Sequence, residues 1–189
     1  MTSRLWAASG LMLVGCAAVK QEPGLTVDVV LVGAEAPSTL DTAEVSVRSV
    51  ELVPCQMAWS PLHLLGSPAR ADHSIESPTM VAFSGAVDLL AAPTVATLNP
   101  PPDVYCYARA VLEPSGDLAY TVRAEVDGQD VATDRVAWLD LPMDLTLHED
   151  HPHAEVVLTF SLSQWPDAAA TGSDVLFETA RDDVILTVQ

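Results

Sequence analysis

Lysine is all but missing from this 189-residue chain: Lys20 is the single one, and lysine and arginine together number 8 against 26 aspartates and glutamates. With that one amine so close to the amino terminus, Schiff-base and other lysine-dependent chemistry is excluded from the body of the protein. The scarcity of cations, with a formal net charge of −18, also argues against nucleic acid and anionic lipid surfaces, which are bound through basic patches. Strong negative charge instead favours solubility, or the attraction of cations and basic partners. The motifs that mark common catalytic sites are missing too: there is no GxSxG elbow, no SxxK and no HExxH. A Ser/His/Asp constellation assembled from distant positions leaves no such mark, but the expectation is a protein that is not an enzyme. Helical periodicity is short of material as well, with no stretch longer than about ten residues keeping it. No internal repeat is visible.

What the chain does have is alternation. From Leu139, the residues Leu141, Met143, Leu145 and Leu147 alternate with Asp140, Pro142, Asp144 and Thr146. Beyond HEDHPH, Ala154, Val156, Leu158, Phe160 and Leu162 alternate with Glu155, Val157, Thr159 and Ser161. Two period-two runs around a polar break predict a β-hairpin with one buried face. A loop of Glu149 to Pro152 places Leu147 opposite Ala154 and Leu141 opposite Phe160. The same register sets His148 opposite His153, with His151 between them.

The remaining chain repeats the pattern on a smaller scale. Leu25 to Val32 reads as a first core strand. Ala43 to Val53 reads as one strand with a slipped parity between Val47 and Val50, the signature of a bulge or bend. Pro54 to Pro78 has no period and reads as a long loop, of the kind that is functional or loosely ordered. Thr79 to Ser84 and Ala86 to Ala91 predict short strands around Gly85. Asn99-Pro-Pro-Pro-Asp103 is a rigid break, and Val104 to Glu113 a strand with Val104, Cys106, Ala108, Ala110 and Leu112 on one face. Pro114 to Asp117 reads as a turn. Leu118 to Val126 and Val131 to Trp138 flank Asp127-Gly128 as a second hairpin. Gln164 to Thr171 suggests one helical turn, and Asp174 to Thr179 and Val184 to Val188 two closing strands joined by Asp182-Asp183. Short strands at this spacing predict one all-β domain over 25–189, an antiparallel β-sandwich of immunoglobulin-like or similar type, with a barrel as the second choice. A hydrophobic content of 49% excludes a disordered chain.

The amino terminus reads as an export signal over 1–15. Arg4 supplies the charge, and Leu5 to Val14 an apolar run too short to span a bilayer, which takes about 20 residues. The run ends in Leu13-Val14-Gly15-Cys16, which resembles the lipobox of bacterial lipoproteins. The resemblance implies that Cys16 is lipidated and becomes the first mature residue, with 16–24 as anchor and tether. It implies a membrane partner through the lipid. Ala17 stands where an aspartate would signal inner-membrane retention, so the resemblance points to the outer membrane of the cell envelope. An ordinary signal peptide with Cys16 incidental is the alternative.

Two further cysteines, Cys55 and Cys106, are expected to form a disulfide in an exported protein, two separate buried thiols being the alternative. His148, His151 and His153, with Asp150, are the candidate metal ligands: three of the five histidines fall within six residues. Imidazole suits Cu, Zn or Ni, with His63 or His73 available to complete a site; a solvated hairpin tip explains the same residues. Asp127, Gly128, Asp130 and Asp134 lack the ligand alternation of a calcium loop and read as a plain turn. Trp59, Trp138 and Trp165 suit either a ligand groove or a sandwich core. A groove at Trp59 and the long loop would make the protein a carbohydrate- or peptide-binding module.

The elements AEVSVRSVELV, VDLL and NPPPDVYCYARAVLE resemble those of uncharacterised β-sandwich lipoproteins. AEVVLTFSLSQW is similar to a stretch of periplasmic copper proteins associated with methanobactin operons. The tryptophan-rich methionine motif and the asparagine–histidine pair of that second family do not occur here. Together these readings lead to an outer-membrane-anchored lipoprotein with a non-enzymatic binding or structural role. The sequence assigns no cofactor beyond a candidate Cu, Zn or Ni ion, and a cell-envelope protein or glycan is the partner to look for.

Overall fold

The computed structural model describes residues 24–55 and 77–189. The expected signal over 1–15, Cys16, the tether up to residue 23, and Trp59, His63 and His73 of the long loop lie outside the described residues. The strands in chain order are β1 (Thr26–Ala34), β2 (Leu40–Val45), β3 (Val47–Pro54), β4 (Met80–Ala82), β5 (Val87–Asp88) and β6 (Thr94–Leu98). They continue with β7 (Asp103–Leu112), β8 (Val122–Val126), β9 (Gln129–Thr133), β10 (Ala137–Leu147) and β11 (His153–Ser161). Two helices, α1 (Trp165–Thr171) and α2 (Ser173–Asp182), precede the last strand, β12 (Val184–Val188).

The fold is an all-β sandwich. One sheet has the order β12-β11-β1-β6 and a second β10-β7-β3-β4. Their edges meet, β12 beside β10 and β6 beside β4, so the two sheets stack with a shared interior. Val27, Val29, Leu31, Val156, Leu158 and Phe160 fill it from the first sheet, and Val50, Leu52, Ala108, Ala110 and Leu145 from the second. The third sheet, β5-β2-β8-β9, extends the same core through Ala43, Val45, Val122 and Ala124. Both helices pack on β8, α1 delivering the fully buried Trp165. Arg135 fastens α2 by bonding Glu178 at 2.7 Å and standing 4.8 Å above the Phe177 ring. The described strands do not close into a barrel.

Several expectations hold. β8 and β9 pair with Val126 opposite Gln129, leaving Asp127 (φ 50°) and Gly128 (φ 76°) as a two-residue turn. Positive φ at both positions is what a type I′ hairpin turn needs, and Asp-Gly supplies it. Cys55 and Cys106 are joined by a disulfide, 51 residues apart in sequence.

The central hairpin does not. β10 pairs antiparallel with β7, and β11 lies in the other sheet, parallel to β1 and antiparallel to β12. Alternation specifies that a strand has one buried face, not which strand it meets. Two features separate the runs. β10 carries Pro142, which has no N–H to give a ladder, and it lies at a sheet edge, where proline is tolerated. β11 is interior, and its outward-facing Val157 is covered nearly as well as its inward-facing residues. The β1–β11 pair also departs from the expectation of a wholly antiparallel sandwich.

The slipped parity between Val47 and Val50 is a bulge, where the register of β3 on β7 shifts between Val47 and Ser49, and a change of sheet lies just before it. β2 ends at Val45 and β3 begins at Val47, with Ser46 as the crossing point. A residue bridging two sheets has no ladder for its polar groups, so all of them find other partners. Ser46 N–H donates to Thr121 O, Glu113 N–H donates to Ser46 O, and Ser46 Oγ donates to Glu113 O at 2.8 Å.

In β7 the face expected to carry Val104 and Cys106 is displaced. The register slips on both sides of Cys106, so Tyr105 is buried and Val104 is exposed. A bulge of this kind reverses which residues face inward. The strand expected at Asp174 to Thr179 is part of α2, whose buried side chains are Leu176, Phe177 and Ala180, so Asp182-Asp183 ends a helix rather than joining two strands. Thr94–Leu98 is a strand that sequence reading passed over.

Candidate functional site

The histidine-bearing turn sits where the described chain enters the fold. Thr26 is the register partner of His153, and its N–H donates to Pro152 O at 2.8 Å. The turn is thereby held against the start of β1. Pro100 and Pro102 of the proline-rich break, with Leu25, Asn99, Glu149 and Pro152, line a cavity of about 450 Å³ at the same pole.

Within this turn the structure rearranges the expected cluster. His148 does not oppose His153; it forms an isolated antiparallel bridge with His151. His151 N–H donates to His148 O at 2.9 Å, closing a tight turn in which two imidazoles meet. His148 Nε2 and His151 Nδ1 are 3.1 Å apart, and the ring centroids 4.6 Å apart at an interplanar angle of 68°. Asp150 N–H donates to His148 Nδ1 at 3.2 Å, and the Asp150 carboxylate lies 3.7 Å from that same nitrogen. His148 Nδ1 is therefore an acceptor, which leaves the proton on Nε2 and makes His148 the donor to His151.

His153 turns elsewhere. Its Nδ1 is 2.9 Å from Thr26 Oγ1, and its Nε2 is 3.9 Å from the Asp28 carboxylate. Thr97 Oγ1 donates to the other Asp28 oxygen at 2.6 Å. The strand change explains this: His153 begins β11 and shares a row with β1, while His148 follows the end of β10 in the opposite sheet. Among the described residues no three His, Cys, Asp or Glu side chains form a cluster placed to hold a metal ion.

The tryptophans also part company. Trp165 is fully buried beneath α1, in the core, whereas Trp138 is 62% exposed. Trp138 therefore does not join the core, and it stands on the outer face of the second sheet. Opposite pairs there are Trp138 with Val111, Asp140 with Arg109, and Pro142 with Tyr107, so Trp138, Arg109, Asp140 and Tyr107 share one surface. Asp140 accepts two hydrogen bonds from Arg109, at 2.7 and 3.1 Å, a fork that fixes the guanidinium plane. That guanidinium lies 5.5 Å from the Tyr107 ring centroid. Sequence reading missed this surface because Arg109 and Tyr107 lie one strand away from Trp138.

Charge on the described surface is one-sided. Arg48, Arg109, Arg123, Arg135 and Arg181 each pair with a carboxylate. No protein-family model matches the chain, and no curated protein or solved structure matches it either.

Proposed function

We propose that this chain is a lipoprotein of the cell envelope, anchored through Cys16, whose β-sandwich is a non-enzymatic binding module. The observation that supports it most is the order of charge, apolar run and Leu13-Val14-Gly15-Cys16 box, followed within ten residues by Leu25 and the first core strand. A tether of 16–24 reaches roughly 30 Å at full extension, enough to hold the fold near a membrane without burying it. Ala17 directs the anchor to the outer membrane. The test is metabolic labelling with a palmitate analogue. The wild-type protein should carry the label and fractionate with membranes, and Cys16→Ala should lose both properties. Unlabelled wild-type protein, or a Cys16→Ala variant that still labels, would sink the reading.

A second reading, a glycan-binding module, is favoured by the exposed Trp138 beside the Arg109–Asp140 fork. Flat aromatic rings stack on the apolar faces of sugar rings, and fixed polar forks bond hydroxyls. A glycan array probed with wild-type protein and with Trp138→Ala separates this reading from a purely structural one. Hits that vanish in the variant support it, and an array without hits counts against it.

A further inference from the structure

The turn at His148 to His151 is built as a two-nitrogen claw. Two nitrogens bound to one first-row metal ion at about 2.0–2.1 Å lie about 2.8–3.4 Å apart, the lower value for a square plane and the upper for a tetrahedron. His148 Nε2 and His151 Nδ1 stand 3.1 Å apart before any ion is present. The His151 N–H bond to His148 O closes the turn that carries both rings, and the hydrogen bond between the rings holds the two nitrogens at that spacing.

We propose that His148 and His151 alone form a bidentate site for a divalent transition-metal ion, Cu(II) ahead of Zn(II). His148 Nε2 is freed as a ligand when its proton moves to Nδ1. Asp150 then changes role, since its N–H gives up the contact with Nδ1 and its carboxylate, 3.7 Å away, takes the new Nδ1–H. No net proton is lost by His148. A carboxylate behind a ligating histidine fixes the ring and raises its basicity. His151 binds through Nδ1, which already carries a lone pair in this arrangement. The remaining coordination positions fall to water or to a group on an incoming ligand, so the site is open and exchangeable. The order of metals follows from the affinity series of divalent ions for imidazole, which peaks at copper.

The proposal excludes His153, which begins β11 and stands against Thr26 of β1, and it is independent of lipid anchoring. The experiment titrates the purified protein with Cu(II) alone and follows the paramagnetic spectrum for nitrogen couplings. One equivalent should bind with two coupled nitrogens. His148→Ala and His151→Ala should each weaken binding at least tenfold, while His153→Ala should stay within twofold of wild type. Unchanged thermal unfolding of each variant shows that the loss belongs to the ligand and not the fold. Full affinity in His148→Ala or His151→Ala, or an equal loss in His153→Ala, overturns the assignment.

Discussion

Gly33 lies directly against Leu89: a methyl group built on Gly33 would meet the Leu89 carbonyl oxygen and stand 2.9 Å from the Leu89 Cβ. Leu162 Cδ1 would be 2.8 Å away on the same side. Leu89 is held in place by its own N–H, which donates to Ala43 O at 2.8 Å. Gly33→Ala is therefore expected to destabilise the fold by about 1–3 kcal/mol through overpacking. Urea unfolding measures it, and a variant as stable as wild type would refute the contact.

Ser46→Ala should cost about 1–3 kcal/mol, because the side chain carries the crossing between sheets. Its hydroxyl donates to Glu113 O and lies 2.9 Å from Ser115 Oγ, in a fully buried position. Removing it takes the hydroxyl donor from Glu113 O and breaks the contact with Ser115 Oγ. Equal unfolding midpoints for the variant and wild type would show the crossing to be held by the backbone bonds alone.

Alkaline stability should depend on Tyr105. Burial, with the negative charge of Asp103 adding to it, pushes this phenol up to about 12. Its hydroxyl donates to Pro101 O at 2.9 Å, an interaction that needs the proton. An unfolded tyrosine titrates near about pH 10, so the unfolded state loses its proton first. The stabilisation is fully present below about pH 10 and is lost as the pH rises towards about 12. Unfolding free energies measured across that window should fall steeply for wild type and less steeply for Tyr105→Phe. Identical slopes would mean the phenol is not the group responsible.

Removing the Cys55–Cys106 disulfide, as Cys55→Ser with Cys106→Ser, should destabilise the protein by about 2–4 kcal/mol, mainly by freeing the unfolded chain. The two cysteines follow residues that already pair, Pro54 with Tyr105. The folded strands should therefore keep their register, and amide exchange in β3 and β7 should accelerate only near the cysteines. Global loss of protection under native conditions would contradict this.

Much of this architecture is legible in the sequence, and the failures have physical causes. Alternation correctly marked the faces of β10 and β11, but period two is the same for any partner and for either direction of pairing. Val157, a large apolar residue on the supposed solvent face of β11, was the sign of an interior strand. In α2, the spacing of Leu176 and Phe177 to Ala180 fits a helical stripe. Asp174 to Thr179 is short enough that the same residues also pass for a strand. The histidine cluster was legible as a composition. Its division into a His148–His151 pair and a separate His153 depends on which sheet each strand joins, and no local pattern encodes that.

The parallel pairing of β1 with β11 also orders events in time. Thr26 to Ala34 align with His153 to Ser161, so the first core strand has one of its two neighbours near the carboxyl end. A chain delivered amino end first presents β1 to its nearer neighbour, β6, long before β11 arrives. Contacts so distant in sequence close slowly, because loop entropy is spent before they form. Until then one edge of an apolar strand stands open to other chains. Truncations that remove β11 are thus expected to aggregate rather than to leave a smaller sandwich.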